Sequence, residues 1–279
     1  MNLHVIDTGY FRLDGGAMFG VVPKSIWQRT NPSDEKNLCS WAMRCLLIED
    51  GDRLILIDNG IGTKQDENFL RHYYLHGEGE LHRSLRQAGF SAADITDVFL
   101  THLHFDHCGG SVEIVNGKTQ MTFPNARYWS NEQHWQWAVQ PNAREKASFL
   151  KENILPIKES GQLQMISTDQ PSPFPQMDIF YACGHTDYMM IPQIRYKDRV
   201  ICFMADLLPS TGHIPLPYVM GYDTRPLITL EEKAAFLDQA ATEKHILFFE
   251  HDPVNECCTV QKTDKGVRLD QAFPLKDIL

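Results

Sequence analysis

Residues 101–110 read THLHFDHCGG, which puts three histidines and an aspartate into positions 102 to 107. Side chains that polar are costly to bury unless something binds them. They end ITDVFLTH, a short apolar run that reads as a buried strand. In an extended chain alternate side chains share a face, so His102, His104 and Asp106 are presented to one side of the strand end. His107 follows and needs a turn to aim inward, and Gly109 and Gly110 are read as the backbone freedom for that turn. Four donors so close suit two adjacent metal ions better than one tetrahedral ion. Further donors must then come from other strand ends.

Three residues stand in such places. His185 follows MDIFYACG, Asp206 follows RVICFMA, and His251 follows ILFFE. The expected assignment gives one ion His102, His104 and His185, and the other Asp106, His107 and His251, with Asp206 bridging both. Imidazole and carboxylate donors suit two zinc ions, with manganese or iron as the alternatives. His213, in PSTGHIPLP, reads as a loop residue.

Elsewhere, LHVIDTGYFRL alternates like a strand, and AMRCLLIEDGDRLILIDNG reads as a hairpin with Asp50-Gly51 in its turn. Helical spacing runs through residues 66–90, interrupted near Gly77 and Gly79, and again through 130–154, broken near Pro141. TLEEKAAFLDQAATEKH is a helix whose Thr229 and Glu232 match a capping box, and TVQKTDKGVRL closes the chain with a hairpin. Strands and helices alternate in both halves with no linker between them. That predicts one α/β domain over residues 1–279, with two sheets and helices outside.

Charge narrows the partners. Lys+Arg is 26 and Asp+Glu is 36, a formal net charge of −10, which argues against a nucleic-acid backbone or an anionic membrane surface. Seven cysteines, an odd number with no CxxC pair, read as structural thiols in a reducing compartment. With no signal-like start in MNLHVIDTGYF, the expectation is a cytoplasmic protein. A homodimer is admissible, since the Tyr73-Tyr74 pair suits either helix packing or a dimer contact.

The order HxHxDH, GHT, strand-end Asp and strand-end His resembles the metallo-β-lactamase superfamily from LLIEDGDRLILIDNG to FFEHD. The resemblance implies an αββα sandwich with a dinuclear site at one edge of the sheets. It also implies that Asp58, in LILIDNG, supports a metal-ligating histidine. LDGGAMFGVVPKSIW and YDTRPLITLEEKAAFL are similar to segments of the branch that holds N-acyl-homoserine lactonases, YtnP-like lactonases and methyl parathion hydrolase. The implied enzyme is a metal-dependent hydrolase of the lactonase or esterase type. It would open a small lactone or ester with a metal-bridging hydroxide, Asp106 passing a proton to the leaving alkoxide. Met18, Phe19, Trp27, Phe105 and Tyr188 are candidates to line its substrate pocket.

Two positions depart from the pattern. Tyr188 stands where GHTxGH has its glycine, which predicts a different loop conformation. Pro209 stands where some lactonases place a carbonyl-polarising tyrosine, leaving Tyr188, Tyr218 and Tyr222 as substitutes. The same superfamily offers two alternatives: an iron-dependent oxidoreductase or dioxygenase, and a phosphotriesterase-type hydrolase.

Overall fold

The structure is a computed structural model that describes residues 1–279. It contains two six-stranded sheets. The first has the order β1-β2-β3-β4-β7-β8, from β1 (Asn2–Asp14), β2 (Leu38–Asp50), β3 (Arg53–Ile57), β4 (Asp97–Phe99), β7 (Arg127–Asn131) and β8 (Leu163–Ile166). A separate hairpin joins β5 (Val112–Val115) to β6 (Lys118–Met121). The second sheet has the order β14-β13-β12-β11-β10-β9. Its strands are β9 (Met177–Ala182), β10 (Met189–Tyr196), β11 (Arg199–Phe203), β12 (Ile246–Phe248), β13 (Cys257–Thr263) and β14 (Gly266–Phe273). The helices are α1 (Gly15–Phe19), α2 (Lys24–Trp27), α3 (Glu67–Leu70), α4 (Leu81–Gln87), α5 (Phe105–Cys108), α6 (Glu132–Val139), α7 (Lys151–Glu159) and α8 (Pro226–Glu243). None is long and apolar enough to cross a membrane.

The chain divides into two compact units, Met1–Gly9 with Met43–Pro173 and Tyr10–Ala42 with Phe174–Leu279. In the first, Leu47, Leu56, Val98 and Leu100 pack with Leu85, Trp135, Ile154 and Ile157 from the helices into one apolar core. Parallel register sets Ile57 of β3 against Phe99 of β4 and Phe99 against Trp129 of β7. Residues just past β3 and β4 therefore emerge side by side. In the second unit β11 and β12 are parallel, with Phe203 opposite Phe248. Asp206 and His251 each lie three residues beyond that pair. β9 is antiparallel to β10, and β10 to β11, so β9 points the same way as β11 and ends at the same edge. His185 sits in the connection there.

Several local expectations change. The two hairpin residues between the paired Asp50 and Arg53 are Gly51 and Asp52, and Gly51 takes the left-handed conformation. The helical pattern at 66–90 yields only α3 and α4, with residues 71–80 outside helices. The Thr229–Glu232 capping box does not form, because α8 begins earlier, at Pro226, a residue preorganised for the first helical position. All seven cysteines are free thiols; Cys183 alone is partly exposed and the rest are buried.

Lys233 of α8 is fully buried, its ammonium donating to the carbonyls of Pro215 (3.1 Å) and Tyr218 (2.8 Å). Burial pulls its pKa down to about 7, against the opposing pull of the Asp223 charge. Between that value and the ordinary 10.5, the unfolded chain holds a proton that the folded chain lacks. The lysine's own contribution to stability therefore rises with pH across this window, by up to about 1.4 kcal/mol per pH unit. Urea unfolding at pH 7, 8 and 9 should give a slope more positive in the wild type than in Lys233→Met by up to about 1.4 kcal/mol per pH unit, because other groups such as His185, whose raised pKa acts in the opposite sense, are common to both. Equal slopes would assign the lysine an ordinary pKa.

Candidate metal centre

In the first unit the donors are wired to one carboxylate. Asp58, fully buried and with a left-handed φ of 55°, follows β3, and its N–H donates to Phe99 O at 2.9 Å. Its Oδ1 accepts the Thr101 N–H (2.8 Å) and its Oδ2 accepts the Thr101 hydroxyl (2.6 Å). His107 Nδ1 lies 3.0 Å from the same Oδ2, so Nδ1 carries the proton and donates. The Thr101 hydroxyl proton is committed to Asp58, so His102 Nδ1 donates to Thr101 Oγ1 at 3.1 Å. These tautomers follow from the partners. They leave Nε2 of both His102 and His107 with a lone pair.

His104 is set differently. Its Nε2 faces Glu145 Oε1 at 3.4 Å, and the other Glu145 oxygen accepts from Trp137 Nε1 (2.6 Å) and Asn142 Nδ2 (2.7 Å). With its proton on the Nε2 that faces Glu145, His104 would present its Nδ1 lone pair 3.1 Å from His102 Nε2. Two lone pairs facing each other repel unless a cation lies between them. Two nitrogens on one tetrahedral zinc lie about 3.3 Å apart, so the spacing fits a shared ion. His134 Nε2 accepts the Leu103 N–H at 2.9 Å and pins the backbone between these two rings. Asp106 and His107 come from the single turn of α5.

In the second unit Asp206 spans two histidines. Its Oδ2 is 3.0 Å from His185 Nε2 and its Oδ1 is 3.2 Å from His251 Nε2. Each ring donates its other nitrogen elsewhere, His185 Nδ1 to Asp223 Oδ1 (2.9 Å) and His251 Nδ1 to Ala42 O (2.7 Å). Burial opposes charge on His185, but Asp206 and Asp223 outweigh it and push its pKa up to about 10. One oxygen toward each imidazole is the posture of a carboxylate shared between two ions. The preceding residue, Ala205, is held at a φ of 41°, and such backbone strain is typical of functional sites.

The pattern of the metallo-beta-lactamase superfamily matches residues 44–251. The chain belongs to the metallo-beta-lactamase superfamily. It is 24% identical over 241 residues to an N-acyl homoserine lactonase of Bacillus cereus, covering 82% of this chain and 87% of that one. Among solved structures, a probable metal-dependent hydrolase from Staphylococcus aureus superposes with a TM-score of 0.88 at 27% identity, covering 98% of this chain and 96% of that one. AidC, a dizinc quorum-quenching lactonase, superposes with a TM-score of 0.79 at 25% identity, covering 98% and 95%. This superfamily member is a metal-dependent hydrolase of mixed α/β fold, and its buried histidines and aspartates fit zinc.

Other expected site residues have mixed placements. Phe105 meets Tyr73 (ring centroids 4.7 Å apart) and Phe69 (5.3 Å), an aromatic group next to Asp106. Burial, with help from the Asp106 charge, pushes the Tyr73 hydroxyl up to about 12, so it stays protonated. Met18, Phe19 and Trp27 are fully buried core residues: Phe19 stacks between Trp27 (5.3 Å) and His213 (4.3 Å). His213, read as a loop residue, ends the short 3₁₀ turn Thr211–His213. It is buried, bonded to Ser210 Oγ and Met18 O, and burial drives its pKa down to about 3. Tyr188 has a φ of 52°, so the left-handed turn open to glycine is made here by a tyrosine. Glu145, Asp223 and His134 were not anticipated.

Asp58→Asn removes an acceptor from the Thr101–His107 pair and unsettles two tautomers at once. Zinc affinity is expected to fall by about 10- to 100-fold, the usual effect of losing a partner behind a metal ligand. Competition with a chromophoric chelator measures this, and an unchanged affinity would remove Asp58 from the site.

Proposed function

We propose that this hydrolase opens lactones, or cleaves related small esters, at a dinuclear zinc site. His102, His104 and His185 would hold one ion, Asp106, His107 and His251 the other, and Asp206 both; the candidate donor groups in the chain support this division. The observation that carries the reading is the Asp206 carboxylate with one oxygen at each of two histidines. The lactonase relatives supply the substrate class. Residues 1–279 are read as acting as a single catalytic domain. Seven free thiols favour a reducing, cytoplasmic setting.

Zinc, when bound, supplies Lewis-acid polarisation and makes water a nucleophile at neutral pH. The protein residues do the rest. Asp58 and Glu145 hold the histidine tautomers so that each ring presents a lone pair inward. Asp106 carries a proton to the alkoxide released when the ring C–O bond breaks. Phe105, Phe69 and Tyr73 form an apolar wall that excludes water and accepts an acyl chain.

The test is hydrolysis by zinc-loaded protein of short- and long-chain acyl-homoserine lactones, simple γ- and δ-lactones, an aryl ester and an organophosphate triester. Lactone turnover at a kcat/KM of about 10⁴ M⁻¹s⁻¹ or above is expected. Turnover of the triester alone would overturn the lactone assignment, and fewer than two zinc ions per chain would overturn the dinuclear one.

A further inference from the structure

The connection from Cys183 to Tyr188 carries His185 but forms no regular secondary structure. One segment, residues 223–232, defines its conformation. Asp223 takes the His185 ring nitrogen, as described above. The Thr224 N–H donates to His185 O at 3.1 Å. The Arg225 N–H donates to Gly184 O at 2.8 Å, and its guanidinium reaches Cys183 O and Asp187 Oδ1, both at 2.7 Å. Two turns further along α8, Glu232 accepts the Cys183 N–H on Oε1 (2.6 Å) and the Gly184 N–H on Oε2 (3.0 Å). Every backbone polar group of the two residues before His185 is thus held from the start of α8. Gly184 lies so close to α8 that a Cβ there would come within 2.3 Å of Thr229 N.

We propose that Glu232 is a positioning residue for His185. Its two oxygens match two successive N–H groups, and a rigid helix carries it. The carboxylate thereby fixes the direction in which the imidazole approaches Asp206, and sets the zinc affinity of the ion that His185 helps to hold. The proposal rests on the dinuclear reading above. It explains why a glutamate that looks like part of a helix cap faces a neighbouring loop instead.

The experiment is a zinc titration against a competing chelator on full-length wild type, E232Q, E232A and Q239G, with visible spectra of the cobalt-loaded proteins. Wild type should bind two ions. E232A should weaken one of them by about 10- to 100-fold, leave the other unchanged, and shift the cobalt bands. E232Q should fall between, because its amide keeps one acceptor and turns a donor toward the second N–H; it carries the test if E232A does not fold. Q239G, at an exposed site on the same helix, should lower Tm and leave both affinities alone. Unchanged affinities and spectra in both Glu232 variants would overturn the proposal, as would equal weakening of both ions in step with Tm. Fewer than two ions in the wild type would overturn the dinuclear reading as well.

Discussion

Asp206→Ala is expected to lower kcat/KM by about 10³-fold or more, equivalent to about 4 kcal/mol of lost transition-state stabilisation. The reason is geometric. One side chain reaches His185 Nε2 with one oxygen and His251 Nε2 with the other, at 3.0 and 3.2 Å. On the dinuclear reading alanine removes a donor from two ions in one substitution, and no small shift of either histidine restores it. Zinc content should fall below two per chain in parallel. Asp206→Asn keeps the shape and one acceptor oxygen, so it should retain more metal than alanine while remaining poorly active. The fold should survive, because the His185 ring is still tied to Asp223 and His251 to Ala42 O. Steady-state kinetics beside metal analysis decides the matter. A variant that keeps two zinc ions and turnover within tenfold of wild type would show that Asp206 does not bridge.

The candidate donors that the fold gathers at strand ends were legible in the sequence because strand ends are legible. An apolar run stopped by His or Asp marks a residue that leaves a sheet edge, and parallel register brings such residues together. Phe203 opposite Phe248 places Asp206 and His251 level, each three residues on. The residues that hold the donors in place were not legible. Asp223 lies 38 positions from His185, Glu145 41 from His104, and His134 31 from Leu103. Each is a polar residue on a loop or helix, and nothing local announces its partner. Glu232 was worse than silent, because a local pattern offered a reading of its own. Thr229 and Glu232 have capping-box spacing, but Pro226 fixes the helix start earlier and the carboxylate is used by Cys183 and Gly184. Phe19 and Trp27 were ambiguous for a related reason. A strip of apolar residues does not say whether it faces a ligand or a neighbouring ring, and here Phe19 stacks between an indole and a buried imidazole.

The glycines behind the metal motif show the same limit and carry the largest expected stability effect. Gly109 was read as conformational freedom, yet it sits at φ −62°, ψ −34°, a helical conformation open to any residue. What it provides is room. A Cβ there would lie 2.1 Å from Ile61 O, and one on Gly110 would lie 2.2 Å from Asn59 O. Both contacts are with backbone, which cannot swing aside as a side chain can. The same crossing carries the bonds Asn59 N to His107 O and Gly110 N to Gly60 O, each 2.9 Å. Gly109→Ala must therefore push the 58–62 loop away from α5, breaking these bonds and dragging Asp58 from His107. The expected cost is about 3 kcal/mol or more, the upper range for overpacking against an unyielding neighbour. For a chain of this size that corresponds to a Tm lower by about 6–12 °C. Zinc retention should fall with it, because Asp58 moves with the loop. Thermal unfolding of Gly109→Ala with and without a chelator tests both parts. A variant with wild-type Tm and zinc content would mean that the loop accommodates a methyl group, and that close approach is not why glycine stands there.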